Sequence, residues 1–570
     1  MNDNRNMILA VVLSALVLLG WSVLSDRFLP QTASPQTQTV DKGKVKPIPQ
    51  PQVNPASPTP QRTKAVAQVL SEAPRVQIRT PSLRGSINLK GARIDDLVLL
   101  RERQTIAKES PPVRVLSPAG GPGANFISFG WTGEGLDAPR PDTQWSTSSQ
   151  VLEPGQPVTL TTSNASGQRF AIQVSVDENY LFTVRQQVTN GGARAAAVRP
   201  YGLINRANKS RDPDSWTMHV GPIGYLDGAA NYDTDWDDLQ NSQVRRLESR
   251  GGWLGFTDTH WLTALAPVGN PVITASFSGT PSGGFQADFA AAPTVVPPGG
   301  TSSSATRVFV GAKEKALLDR YEDAGIPMLS KSIDWGWFEW FMRPIFDLLN
   351  WLFKVTGNFG VAIIALTFIV RLIMFPVAQK QFKSMAAMRK VQPKIKALQE
   401  RFKDDKQKQQ QEMLKLYKDE KINPAAGCLP ILLQIPIFYA LYKVLMVSVE
   451  MRHQPFALWI QDLSAPDPLT PVNLFGLLDF TPPGFLLIGV LPILLGITMW
   501  LQFKLNPQQM DPVQQQIFSF MPWIMMVVLA PFAAGLVLYW VTSNILTIAQ
   551  QWWLYRRFGL HMSDTHPVAT

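Results

Sequence analysis

The chain has few of the residues that most enzyme chemistry requires. One cysteine, Cys428, and five histidines serve 570 residues. A single cysteine excludes an intrachain disulfide framework. At the start of an apolar stretch its simplest role is a small packed hydrophobe. No G-x-x-x-x-G-K-[ST] stretch occurs, so nothing points to nucleotide hydrolysis. Within 70–325 only His219 and His260 are found, with no metal-ligand spacing and no nucleophile–base arrangement. The expectation is a protein without catalytic residues, metal or cofactor. Acidic residues are also missing where a positive charge most needs them: none of the long apolar runs contains Asp or Glu.

Those runs are Met7–Leu24, Gly357–Val377, Cys428–Val449, Gly484–Phe503, Ile517–Leu529 and Phe532–Trp553. Spanning a bilayer takes about 20 apolar residues, so they read as six membrane spans. The fifth is short, and Pro531 separates it from the sixth, which makes those two a hairpin with almost no external loop. Met7–Leu24 follows Arg5 and lacks an A-x-A-like site after it, so an uncleaved signal anchor is expected over 1–27 rather than a removed signal peptide. Lys/Arg bias sets orientation. The segment Lys380–Lys421 carries 13 Lys/Arg against 6 Asp/Glu, and Lys504, Arg556 and Arg557 fall on the same side. The 451–483 loop has Arg452 against Asp462, Asp467 and Asp479. Both termini are then cytosolic and residues 30–330 are exported.

One charge interrupts the second run. Arg371 sits in FGVAIIALTFIVRLIMFPV, where an arginine costs roughly 2.5–3.5 kcal/mol at the bilayer centre. It lies near the end of the run, and snorkelling to the surface is the plain alternative to a working buried charge. Thr367 shares its helical face. In the last run Trp540, Ser543, Asn544, Thr547, Gln550 and Gln551 form a polar stripe at helical spacing, while Gln434, Thr498 and Gln502 add polar groups in two others. Helix–helix hydrogen bonds explain one or two such residues. A whole stripe beside an arginine without an acidic partner fits a hydrated groove better.

Residues 28–69 form a linker with eight prolines between 30 and 60. The 70–330 region shows the alternation of half-buried strands, as in FAIQVSV and LFTVRQQV around the turn Asp177–Glu178–Asn179, and reads as a β-sandwich. A carbohydrate-related role for such a sandwich is a third reading that fold alone leaves open. Residues 334–355 are too polar to span. Glu339, Arg343, Asp347, Asn350 and Lys354 form one stripe and the aromatics cover much of the rest, so an amphipathic helix in the outer interface is expected. The basic segment 380–421 reads as a two-helix hairpin turning at Asp404–Asp405–Lys406. Its first helix is kinked by Pro393 or begins near it. The tip residues Arg401, Lys403, Lys406 and Lys408 make it a candidate docking element for ribosomal RNA, anionic lipid or acidic protein segments. A solvated loop that only fixes topology is the alternative.

The stretches TFIVRLIMFP, MRKVQPKIKALQERFKDDKQ, EKINPAAGCLPILLQIPIFYALY, APFALWIQDLSAPDP, DPVQQQIFSFMP and GLVLYWVTSNILTIAQQ together resemble the YidC insertases of bacterial inner membranes. The resemblance implies a polytopic α-helical membrane protein with six transmembrane helices and a large periplasmic β-supersandwich domain. It implies a five-helix insertase core over 357–558, followed by a short cytosolic tail over 559–570. The implied activity is a membrane protein insertase and chaperone, not an enzyme, working alone or with the Sec translocon. Arg371 matches the groove arginine and Thr367 a groove residue. Phe438, Tyr539 and Trp540 match positions that meet the incoming segment, although many members carry two tyrosines where this chain has Tyr539–Trp540. Expected partners are nascent membrane proteins, the Sec translocon and its accessory subunits, ribosomes and targeting factors, and membrane lipids, with no DNA. A small-molecule anion transporter using Arg371 is the runner-up, weakened by the lack of an internal repeat across the runs.

Overall fold

The structure is a computed structural model. It describes residues 64–557 apart from 213–217, 241–242, 281–282, 337, 403–404, 421–428, 476, 479–487 and 506–511. The expected signal anchor, most of the linker, the tail, Cys428, Trp337 and Lys403 lie outside the described residues, as does the side chain of Lys406.

After a short helix α1 (Val66–Ser71) the chain forms strands up to Thr301–Ala312, arranged as one 11-stranded and one 9-stranded sheet. The alternation in FAIQVSV does what it predicts. Phe170, Ile172, Val174 and Val176 are buried, and the residues between them are half-exposed. The hairpin closes with Phe182 opposite Val176. Its turn is fixed by Asp177 Oδ1, which accepts the amides of Asn179 and Leu181 at 2.9 Å each. Leu181–Asn190 then pairs antiparallel with Thr301–Ala312 over nine residues. The two sheets share one apolar core, seen where Trp131 of one meets Phe170 of the other at 5.2 Å between ring centroids. Each fully buried side chain of this size contributes about 1.5–3 kcal/mol.

Helix α2 (Lys315–Asp323) leaves the sandwich, and α3 (Glu339–Thr356) follows. α3 is the expected amphipathic helix, and part of its polar stripe is tied to the protein by ion pairs while Asp347 and Lys354 stay exposed. Lys331 and Arg343 both pair with Glu339, the latter at 2.9 Å, and Asp347 pairs with Lys315 at 3.1 Å. Met342, Phe346, Leu349 and Leu352 are buried. Trp340 is 73% exposed and Trp351 57%, so the aromatic load is carried outward.

Helix α4 (Phe359–Arg401) is continuous. The first arm of the basic hairpin is therefore not a separate helix from 380. The apolar span runs on into it, through Pro393 without a break. Asp405 caps α5 (Lys406–Asp419) by accepting the Lys408 amide at 3.0 Å, as the turn signal requires. Lys394 and Glu420 join the arms at 2.6 Å, but both are exposed and such pairs stabilise little. Helices α6 (Leu429–Val447), α7 (Val490–Leu505), α8 (Pro512–Leu529) and α9 (Ala534–Arg557) complete the chain. Four residues, 530–533, join α8 to α9, which is the expected near-loopless hairpin. Among the described residues only Phe359–Gln381 is both long and apolar enough to cross a membrane by length and composition. Leu433–Val447, Val490–Leu505 and Ser519–Leu529 are shorter apolar helices. In α9 the polar stripe itself lowers the mean hydropathy.

Candidate functional site

The polar residues of the helical core meet across helix boundaries. Arg371 of α4 donates from Nε to Ser543 Oγ of α9 at 3.1 Å, and from Nη2 to the same oxygen. Among the described residues no carboxylate forms an ion pair with Arg371. Its charge is therefore solvated by a neutral hydroxyl and otherwise unneutralised.

The other predicted residues sort into pairs. Gln434 of α6 donates Nε2 to the hydroxyl of Tyr539, which is 1% exposed. Phe438 packs edge-on against Trp540 with ring centroids 5.1 Å apart. Asn544 donates to Thr498 Oγ1 of α7 at 3.2 Å. Two hydroxyls bond to their own helix: Thr367 donates to Ile363 O at 2.6 Å, and Thr547 to Ser543 O at 2.7 Å. Such back-bonding is the ordinary fate of a threonine in an apolar helix. Thr367 is thus buried beside the arginine without contacting it.

Four further atoms matter because nothing answers them. Gln502 Oε1, Trp540 Nε1, Gln550 Nε2 and Gln551 Oε1 are buried with no hydrogen-bond partner among the described residues. A buried polar atom left unpaired costs about 1–3 kcal/mol. Three of these atoms lie on α9, the helix whose Ser543 receives Arg371, and one on α7, which packs against it.

The segment between α6 and α7 binds the starts of several core helices. Asn358 caps α4 through the Val361 amide and donates Nδ2 to Phe456 O at 2.8 Å. Asp467, 4% exposed, accepts from Trp459 Nε1 at 2.9 Å, from the Leu469 amide at 3.0 Å and from the Leu491 amide in the first turn of α7 at 2.7 Å. Its charge there also complements the helix dipole. The amides of Ala534 and Gly535, at the start of α9, donate to Ala465 O and Leu463 O at 2.7 and 2.9 Å. One segment therefore satisfies orphan donors at the starts of α7 and α9 and holds the capping side chain of α4. It packs tightly enough that a Cβ on Gly360 would fall 2.0 Å from the Phe456 ring.

Sequence reasoning missed this arrangement, because its hydrogen bonds join residues far apart in the chain. It also missed Lys443, a second charge inside an apolar run. That side chain is 1% exposed and donates Nζ to Asp334 O at 2.9 Å, while the His219 amide donates to Asp334 Oδ2 at 3.0 Å. The signal was available, since Lys443 in a run without acids needs a partner outside it. Close by, Arg452 donates to Arg103 O at 2.7 Å and lies 3.6 Å from Glu102. Burial pushes the Glu102 carboxyl up to about 7, with the Arg452 charge opposing and Glu314 and Glu450 adding to the rise. The docking residues Arg401 and Lys408 flank the exposed tip, and both lie over the Phe402 ring, each 5.7 Å from its centroid.

Apolar helices that turn polar groups toward one another, joined to a large two-sheet region, define a class: membrane proteins with a polar interior and a substantial domain outside the bilayer. The family described as 60Kd inner membrane protein matches residues 351–561, and the YidC periplasmic domain matches 75–348. A membrane protein insertase YidC of Zymomonas mobilis subsp. mobilis is 48% identical over 561 residues, 98% of this chain and 96% of its own. Another, from Acidiphilium cryptum, is 46% identical over 516 residues, 86% of each chain. A crystal structure of active YidC insertase with the first transmembrane domain resolved covers 84% of this chain and 92% of its own at 20% identity. Its TM-score is 0.37, too low to carry an argument. The chain belongs to the YidC family of membrane protein insertases, inner-membrane proteins with a periplasmic domain and not enzymes.

Proposed function

We propose that the chain inserts nascent membrane proteins through the polar region around Arg371, which acts as a half-channel open toward the cytosol and the lipid. The observation that carries this is an arginine held between α4 and α9 by a neutral serine alone, beside four unanswered polar atoms. A polar tail entering hydrocarbon loses its hydration, at several kcal/mol for each unpaired group. Polar side chains and water in the half-channel replace that hydration over part of the path. Arg371 attracts acidic groups of the tail without holding them as a fixed salt bridge does. The adjoining apolar segment slides along α6 and α8 into lipid, driven by burial of about 20 apolar residues. Seal residues Phe456 to Asp467 keep the path from becoming a pore.

In this reading α4, α6, α7, α8 and α9 are five spans and the N-terminal apolar run is a sixth. Both termini are cytosolic, the basic hairpin faces the ribosome or targeting factors, and the Sec translocon is a partner for longer substrates. Site-specific photocrosslinking from Phe438 and Trp540 to a stalled nascent membrane protein tests the path. The expected result is crosslinks to the substrate's apolar segment from both positions. Crosslinks from neither, with insertion intact, overturn it.

A further inference from the structure

A crevice of about 220 Å³ opens between α4 and α9 on a flank of the polar region. Leu546, Gln550 and Trp553 line it from α9 at i, i+4 and i+7, a face offset from the one that carries Trp540, Asn544 and Thr547. Phe368 and Phe375 line it from α4. Phe375 and Trp553 meet at one end with centroids 5.8 Å apart. Phe368 is 57% exposed, on a helix apolar enough to lie among acyl chains.

Two polar side chains interrupt these apolar walls. Arg371 also borders the crevice, and its Nη1 has no partner among the described residues. Gln550 Nε2 is buried and unpaired. Both are donors, and neither can answer the other. What fits is an acceptor-rich group joined to an apolar chain. A second cation marks one end: the Arg557 guanidinium lies 5.0 Å from the centroid of the Trp553 ring. One cation in the lining, a second beside Trp553, and no acid among the described lining residues favour an anionic amphiphile over a neutral one.

We propose that this crevice binds one anionic phospholipid of the cytosolic leaflet, its phosphodiester and ester oxygens accepting from Arg371 and Gln550 and one acyl chain lying along Phe368, Phe375, Leu546 and Trp553. The inference uses the reading of α4 and α9 as spans, but not the substrate path along α6 and α8. A headgroup drawn toward Arg371 lowers the leaflet surface locally, which is one way an intramembrane arginine is accommodated. Arg371 then faces substrate on one side and lipid on the other.

The test uses the full chain in nanodiscs of phosphatidylethanolamine with phosphatidylglycerol, followed by native mass spectrometry of lipid retained after mild detergent release. Gln550→Leu removes a donor at nearly constant shape, and Leu546→Trp fills the crevice. The wild type is expected to retain one phosphatidylglycerol per chain, in preference to phosphatidylethanolamine. Each variant is expected to lose that retention at least tenfold while eluting as the same species in gel filtration. Retention unchanged in both variants overturns the proposal. So does equal retention of the two lipids by the wild type, which marks ordinary boundary lipid. Crosslinking of nascent chain to Phe438, measured in parallel, reports on the substrate path separately, so failure of one reading is not mistaken for failure of the other.

Discussion

The two-sheet region and the helical core treat buried polar groups differently. In the sheets several form closed sets. Asp288 accepts from Ser276 and Gln286, at 2.7 and 3.0 Å. Gln186 crosses between sheets to Gly130 O at 2.8 Å, and Asp258 takes a two-pronged contact from Arg206. Unpaired buried atoms occur there too, on Arg75, Ser82, Arg93, Asn125, Trp236 and His260, spread over several strands and loops. In the core, Gln502, Trp540, Gln550 and Gln551 lie on two helices that pack together, with Arg371 alongside. Both halves leave buried polar atoms unmet, but in the core they gather on two packed helices beside an arginine without an acidic partner, and that concentration marks the working surface. The sheets hold a shape, and the core offers polar groups to something that visits.

The largest effect should come from removing the unneutralised charge. Arg371→Ala is expected to lower insertion of a short-tailed substrate on the order of tenfold, equivalent to about 1.4 kcal/mol of barrier. Arg371→Lys should retain more, because charge matters here more than fork geometry. In vitro insertion into vesicles measures both. Full activity in the alanine variant removes the contrast between the two halves.

Next comes the seal. Asp467→Ala leaves three donors without their acceptor, each buried loss costing about 1–3 kcal/mol. Thermal melting of the purified chain should fall by several degrees, and vesicles containing the variant should leak ions. A tight, stable variant would assign closure to other residues. Removing 400–410 from the hairpin tip is expected to lower insertion by a smaller factor, with the core still folded. The loss should shrink in high salt, since screening shortens the reach of the basic tip. Crosslinks from Phe438 at wild-type frequency, with insertion unimpaired, make the hairpin a solvated loop. Deleting 70–320 while keeping the chain from Asp334 should leave at least half the insertion activity in a depleted strain, because Arg371 and the polar stripe all lie beyond it. Loss of function at normal membrane levels would move essential work into the sheets.

Much of this was legible in the sequence, for local reasons. Strand alternation, the Asp177 turn and the Asp405 cap are decided by neighbours, and they lie where the pattern puts them. Arg371 stood out because a charge in an apolar run is costly wherever its partner lies. What stayed hidden was pairing across distance. Asp467 looks like any loop acid until Leu491 is beside it. The polar stripe of α3 looks solvent-facing until Lys315 and Lys331 are placed against it. The continuity of α4 past 380 was also hidden, since a change in composition from apolar to basic does not by itself end a helix, and Pro393 pointed to a break that did not occur. The number of spans rests on composition, because polar groups in α9 depress the same hydropathy that would count it.

The smallest effect concerns the joint between the two halves, and its sign depends on which group titrates. Glu102 holds a proton up to about pH 7 in the fold, against an ordinary value of 4.5. Between those values the folded chain binds more protons than the unfolded one, so this group's contribution to stability falls as pH rises. His260 runs the other way. Burial lowers it from 6.5 to about 3, with Lys313 and Arg452 nearby adding to the drop. In that window the unfolded chain binds more protons, and stability rises with pH. The two trends oppose each other between pH 4.5 and 6.5, so the wild type should melt at nearly constant temperature there. Glu102→Gln removes one of them. It should show a melting temperature that climbs by about a few degrees over the same range, the size expected of roughly 1 kcal/mol in a large chain. The ground the wild type loses to the variant should be lost between pH 4.5 and 7 and stay constant above that, where the wild type buries an ionised carboxylate near Glu314, Glu450 and Arg452. Insertion activity should barely move in either. Identical pH profiles for the two proteins would mean that Glu102 is solvated in the folded chain, and that the sheets and the core meet through a looser contact than the Arg452 hydrogen bonds describe.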